Sequence, residues 1–406
     1  MKPLIACLLV SVLVPACADE PLFSEIGKME KGLSEITGLK FKHDVPYAVI
    51  NKDQLRTYIE QRLKESIKPA DLHAEELTLK LLGLVPPDFD LRQNTIDLLT
   101  EQAAAFYDYN KKKLFILQES SGEKGADKEL ELVHELAHAL ADQHFPLGKF
   151  VSDGLRSDDA ATARQAVMEG QASWLMTAYL SKKAGGPAEV SDNVLDLMTH
   201  SLENSPEDYP VLTKAPPYIR ETLVFPYSDG MLFQNEVFHK LGQASFAEVF
   251  EHPPVSTQQI LHPDRYLTHV SPHVPDLPPI PAAHEFRKLA DGTLGELDLR
   301  ILLSEYAGKQ DGEQLAAHLV GSSYELLEHK HDRFPVLAVS ASWDTPESAA
   351  KYFEEYRKVL QGKWKSLEIQ SQTVSRLEGH GDTGYFMLWK DGSTVEDIEG
   401  WKTPLH

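Results

Sequence analysis

Val133-His134-Glu135-Leu136-Ala137-His138-Ala139-Leu140, residues 133–140, is the stretch that decides the fold. On a helix, residues i and i+4 stand one above the other, so His134 and His138 can reach one metal ion together. Glu135, one residue along, can reach a water held by that ion. Leu130, Val133, Ala137 and Leu140 form a separate apolar face, so the histidines are not needed as core filler. Seventeen histidines in 406 residues give roughly 0.7 His-x-x-x-His pairs by chance, and roughly 0.05 with glutamate second, so the motif is a signal. Neutral imidazole suits Zn²⁺, whose catalytic sites take three protein ligands and a water. Zinc brings the water's pKa toward neutrality, and the carboxylate takes its proton and hands it to a leaving amine.

The third ligand has two candidates. Read onward, the chain is His134-Glu-Leu-Ala-His138-Ala-Leu-Ala141-Asp142-Gln-His144, which nearly fits the metzincin pattern H-E-x-x-H-x-x-G-x-x-H with His144 as ligand. Ala141 stands where that pattern has the glycine that turns the chain. Alanine favours continuing the helix, which puts His144 about 600° past His138, or about 240° modulo a turn, on the wrong face. The other candidate is Glu169 in Val167-Met168-Glu169-Gly170-Gln171-Ala172, 31 residues after His138 on the next long helix. Ala166, Gly170 and Ala172 would let that helix approach closely. This is the gluzincin arrangement, H-E-x-x-H on one helix and Glu on the next, and Glu169 is the preferred ligand.

Outward from the motif, residues 22–101 read as mostly helical, with helix-period leucines at 53–66 and 72–84 and a short strand at 46–50. Residues 103–118 read as a hairpin turning near Asn110, its Lys111–Lys113 run solvated. A helix is expected from about Asp127 to Gln143. Ser157, before Asp158 and Asp159, caps the next, which stops at Gly185-Gly186-Pro187. Further helices are expected at 188–203, 227–241 and 255–261. Residues 270–282 hold five prolines and read as a linker. Beyond it, 334–342 reads as a strand. Thr345-Pro346 caps a helix that presents Ala349, Phe353, Tyr356 and Leu360 on one face. A hairpin turns at Asp391-Gly392.

Lys+Arg total 40 and Asp+Glu 62, a formal charge of −22, which argues against a general nucleic-acid binder, since phosphate contacts need clustered cations. The two cysteines, Cys7 and Cys17, both lie in the first twenty residues. Any metal in the folded body must therefore be held by imidazole and carboxylate. Residues 4–14 (LIACLLVSVLV) are an apolar run of 11 after Lys2, too short for a mature membrane span but suited to an export signal. Cleavage after Ala18 is one reading. The other is a lipoprotein signal to residue 16, with Cys17 lipidated.

The runs HELAHALADQHF, MEGQA, AAAFYDYNKKKLFI, LLGLVPPDFDL and PPVSTQQILHPDRY together resemble a group of bacterial exported gluzincin-type zinc metallopeptidases. A weaker likeness continues through SASWDTPESAAKYF at 340–353. Phe225-Pro226-Tyr227-Ser228-Asp229-Gly230, expected to precede a helix, is similar to the Pro-Tyr-x-x-Gly of gluzincin aminopeptidases, whose tyrosine stabilises the oxyanion. The resemblance implies that role for Tyr227, 93 residues after His134. His262 is a second candidate donor, and Asp142 a candidate to orient His138 through its other ring nitrogen.

The resemblance implies an α+β chain: a mainly helical zincin-like catalytic domain with a short antiparallel edge sheet, then a small C-terminal α+β domain. The expected divisions are a signal at 1–18, an N-terminal helical region at 19–101, the catalytic domain at 102–268, a proline-rich linker at 269–284 and the C-terminal domain at 285–406. Expected function is zinc-dependent peptide hydrolysis outside the cytoplasm, with the strand within 103–109 pairing to an extended peptide substrate. No nucleic-acid partner and no transmembrane helix in the mature chain are expected. The alternative is a catalytically silent envelope protein that keeps the scaffold for binding, although a pure binding module has no need of Glu135.

Overall fold

The computed structural model describes residues 25–118, 125–155, 157–191, 193–195, 197–198 and 209–404. The signal at 1–18, with Cys17, and residues 192, 196 and 199–203 of the helix expected over 188–203 lie outside them. The fold is α+β.

The first part runs α1 (Ile26–Thr37), β1 (Tyr47–Ile50), α2 (Lys52–Ser66), α3 (Pro69–Leu82), α4 (Leu91–Gln102), β2 (Ala105–Asp108) and β3 (Lys113–Leu117). Asn51 caps α2 in a reciprocal capping box with Gln54. The hairpin β2–β3 is antiparallel as expected. β1 also joins it, parallel to β3, so the small sheet is mixed, in the order β1-β3-β2. A parallel pair needs a long crossover, and α2–α4 supply it.

Next come α5 (Gly125–His144), α6 (Leu147–Gly154), α7 (Asp158–Lys183), α8 (Pro210–Lys214), α9 (Pro217–Leu241), α10 (Ser245–Glu251), α11 (Thr257–Leu261) and α12 (Pro263–Leu267). Ser157 caps α7 by accepting from the Ala160 N–H. The helix expected at 227–241 begins ten residues earlier, so Pro226-Tyr227 lies inside α9 rather than before it. An interior proline costs roughly 3 kcal/mol. Burial of Tyr218, Ile219, Leu223, Phe225, Tyr227 and Met231 around the helix offsets that cost.

The chain ends in β4 (Phe286–Gly292), α13 (Glu296–Ala307), α14 (Lys309–Ala316), β5 (Leu319–His329), β6 (Pro335–Trp343), α15 (Pro346–Lys363), β7 (Glu368–Gln372), β8 (Arg376–Gly381), β9 (Gly384–Asp391) and β10 (Thr394–Trp401). All seven strands form one antiparallel sheet, β4-β5-β6-β10-β9-β8-β7. The strand read at 334–342, the helix capped by Thr345 and the Asp391-Gly392 hairpin are all present. Residues 270–280 carry no helix or strand. They are pinned along β5, where the His273 N–H donates to the Val320 carbonyl and the Ser323 hydroxyl to the Pro275 carbonyl. One apolar core runs from Met29 through the α5–α7–α9 bundle to Val395. No helix among the described residues is long and apolar enough to cross a membrane.

Candidate metal centre

Helix α5 presents His134 and His138 to α7, whose Glu169 faces both. The Nε2 atoms of the two histidines lie 3.1 Å apart, and Glu169 Oε2 lies 3.1 Å from His134 Nε2 and 3.3 Å from His138 Nε2. All three residues are buried. This buried His134, His138, Glu169 group could hold a metal ion.

The group is charge-coupled. Burial alone would raise the Glu169 carboxyl, but His138 and His134 hold it down at about 2. Burial alone would lower His138, yet the Glu169 carboxylate, reinforced by Glu135 and Asp142, raises it. Burial pushes the Glu135 carboxyl up, against the opposing pull of the two histidines.

α7 reaches this position through a close crossing with α9. A Cβ on Gly170 would fall 2.1 Å from the Gly230 carbonyl carbon, and one on Gly230 would fall 2.3 Å from the Ala166 carbonyl oxygen. The glycine of the Pro-Tyr-x-x-Gly stretch is thus a packing contact beneath Glu169. The Tyr227 ring, just before it on the same helix, stacks on His134 with centroids 6.1 Å apart.

Glu135 is held differently. Its Oε2 accepts the Tyr107 N–H at 2.6 Å. Its Oε1 is buried with no hydrogen-bond partner among the described residues. In β2 the ladder bonds fall on alternate residues, starting from the Leu117 N–H to the Ala104 carbonyl. Ala105 and Tyr107 therefore turn their main-chain groups away from β3, toward α5. All four β2 residues are buried.

The remaining candidates lie outside the group. Asp142 does not orient His138, because both its oxygens are taken: by the Tyr107 hydroxyl at 2.9 Å, by Lys112 Nζ at 2.6 and 2.7 Å, and by the Leu147 N–H at 2.9 Å. Lys112, exposed as its place in a solvated run implies, also ties the hairpin turn to α5. α5 continues straight through Ala141, so His144 ends it and its Nε2 sits 2.8 Å from the Lys40 carbonyl. Gln143 holds the same loop, accepting from the Lys42 and His43 N–H groups. His262 pairs with Glu296 at 2.8 Å. The contacts that sequence reasoning missed are the Tyr107 N–H and Lys112. The alternation of AAAFYDYN marked the strand but not which of its residues would face Glu135.

No family model matches the chain, and neither the curated proteins nor the solved structures contain a significant match to it.

Proposed function

We propose that the protein is a zinc-dependent peptidase of the gluzincin type, acting on peptides or proteins in the cell envelope or outside the cell. One observation carries this reading: the buried, unpartnered Oε1 of Glu135 beside the His134–His138–Glu169 group. An orphaned buried acceptor costs about 1–3 kcal/mol, and a catalytic role is one reason such a group is kept.

The donor set fits zinc. Two imidazoles and a carboxylate are a known catalytic ligand set, and tetrahedral ligands at about 2.0–2.1 Å from zinc stand about 3.3–3.4 Å apart, against 3.1–3.3 Å here. Bound zinc supplies a Lewis acid that acidifies water and polarises a carbonyl. Glu135 Oε1 takes the water's proton and returns it to the leaving nitrogen, while the Tyr107 N–H keeps the carboxylate from turning. The Tyr227 hydroxyl donates to the scissile carbonyl oxygen as negative charge grows there. The Ala105 main-chain groups and the Tyr107 carbonyl, turned away from β3, suit pairing with an extended peptide, while the Tyr107 N–H stays on Glu135. Export rests on the apolar run at 4–14, with either cleavage after Ala18 or a lipid on Cys17. The mass of the mature N-terminus distinguishes the two.

The test is peptide-library hydrolysis by wild type beside Glu135→Gln, with metal analysis of the same samples. Chelator-sensitive cleavage lost in the variant supports the reading. Protein without stoichiometric metal, or full cleavage by the variant, sinks it. Metal-loaded protein that cleaves nothing favours the silent binding protein.

A further inference from the structure

A cavity of about 630 Å³ opens between α8, α9, α13 and α14, and none of His134, His138 and Glu169 lines it. Small-molecule sites span about 300–1,000 Å³. One wall is apolar, built by Leu212, Val224, Phe225, Leu297 and Ile301. Charges of both signs line the rest, joined only by loose ion pairs. The nearest carboxylate oxygens to the Arg300 guanidinium are those of Glu313 at 3.6 Å and Asp229 at 3.9 Å, both beyond hydrogen-bond reach. Arg220 makes one long bond, 3.4 Å to the Thr213 carbonyl. Glu221 stands at the exposed rim, makes no hydrogen bond among the described residues, and feels the charges of Arg300, Lys309 and Arg220. Arg300 is the partly buried charge of the set, and a ligand carboxylate in fork contact would complete the hydrogen bonds that Glu313 and Asp229 do not reach.

A guanidinium and a carboxylate held open beside an apolar wall match a molecule that carries a carboxylate, an ammonium and a hydrocarbon side chain. We infer that this cavity is a second ligand site, taking a free apolar amino acid or short peptide with its carboxylate on Arg300 and its ammonium on Glu221. This is the class of molecule that peptide hydrolysis releases, so the biological sense of the ligand rests on the proposed function. The location of the site rests on the cavity alone. Val224, Phe225 and Ser228 of the cavity flank Tyr227 on α9, so the site shares a helix with the residue stacked on His134.

Calorimetric titration of leucyl-leucine into the full chain tests this. The chain carries Glu135→Gln and is stripped of metal, so that the probe is neither hydrolysed nor held by an ion. The expected result is binding at least about tenfold tighter than that of N-acetyl-leucyl-leucine amide. Arg300→Ala weakens it by about tenfold or more, and Glu221→Gln erases the preference for the free amine. Melting curves check that the variants fold, and Arg300→Lys, which keeps the charge but loses the fork, replaces Arg300→Ala if that variant does not. Equal affinity for the capped peptide, indifference to both substitutions, or no binding at about 10 mM overturns the inference. Wild-type hydrolysis is scored separately. Cleavage without leucyl-leucine binding overturns only this site, and binding without cleavage overturns only the peptidase reading.

Discussion

The main-chain N–H of Tyr107 donates to Oε2 of Glu135 at 2.6 Å, joining the outer strand of the small sheet to the acid between the two histidines. The strand whose groups suit a peptide and the carboxylate suited to activate water are therefore held in one register. Glu135→Gln keeps the shape and an oxygen for the Tyr107 N–H but removes the base. Hydrolysis should fall by about 10²–10⁴-fold with zinc content unchanged, as read by initial rates and metal analysis on one preparation.

His138→Ala and Glu169→Ala should each take bound zinc from about one per chain toward zero, and activity with it. His144→Ala should leave zinc unchanged, because that ring is spent on the Lys40 carbonyl. Elemental analysis after dialysis separates the outcomes, and loss of zinc in the His144 variant alone would reverse the ligand assignment.

Tyr227→Phe removes a hydroxyl and nothing else. A kcat lower by about 10²-fold, with KM and zinc content unchanged, is the outcome expected of an oxyanion donor. An unchanged kcat would leave Tyr227 as packing against His134.

Gly170→Ala sets a methyl 2.1 Å from the Gly230 carbonyl carbon. The helices must move apart at a cost of about 3 kcal/mol or more, and Glu169 moves with α7. A lower melting temperature together with weaker zinc binding is expected, and a variant as stable as wild type would contradict the crossing.

Stability should fall as pH rises. Burial, then the charge of Asp298, pushes Asp158 up to about 9. Burial, against two hydrogen bonds from Thr257, pushes Asp159 up to about 7. The folded state thus binds these protons more tightly than the unfolded chain, where both groups titrate near 3.8. Their contribution is fully present below that value. It is lost progressively through about 7 for Asp159 and about 9 for Asp158. Asp158→Asn should flatten this slope in urea melts taken between about pH 5 and pH 9.

The His134–Glu135–His138 helix was legible from spacing alone, because i and i+4 share a face whatever surrounds them. The straight course of α5 through Ala141 was also legible, since alanine carries its own backbone preference. The same local logic placed the Ser157 and Thr345 caps and the Asp391-Gly392 turn. The expectation at 227–241 departed from the structure because proline reports only local cost, whereas 270–280 carries no helix or strand, as its prolines led one to expect. Burial around α9 outweighs that cost at Pro226, and hydrogen bonds to β5 hold the proline-rich stretch in place.

By itself, the sequence determined which side chains could form a metal group and which helices carry them, because periodicity and capping are short-range. The tertiary structure alone decided that Glu169 meets both histidines, that Tyr107 rather than a neighbour faces Glu135, and that Lys112 ends on Asp142. Those contacts depend on a helix crossing at Gly170 and Gly230 and on a strand register. Both are set by packing between segments far apart in the chain, where no local preference acts.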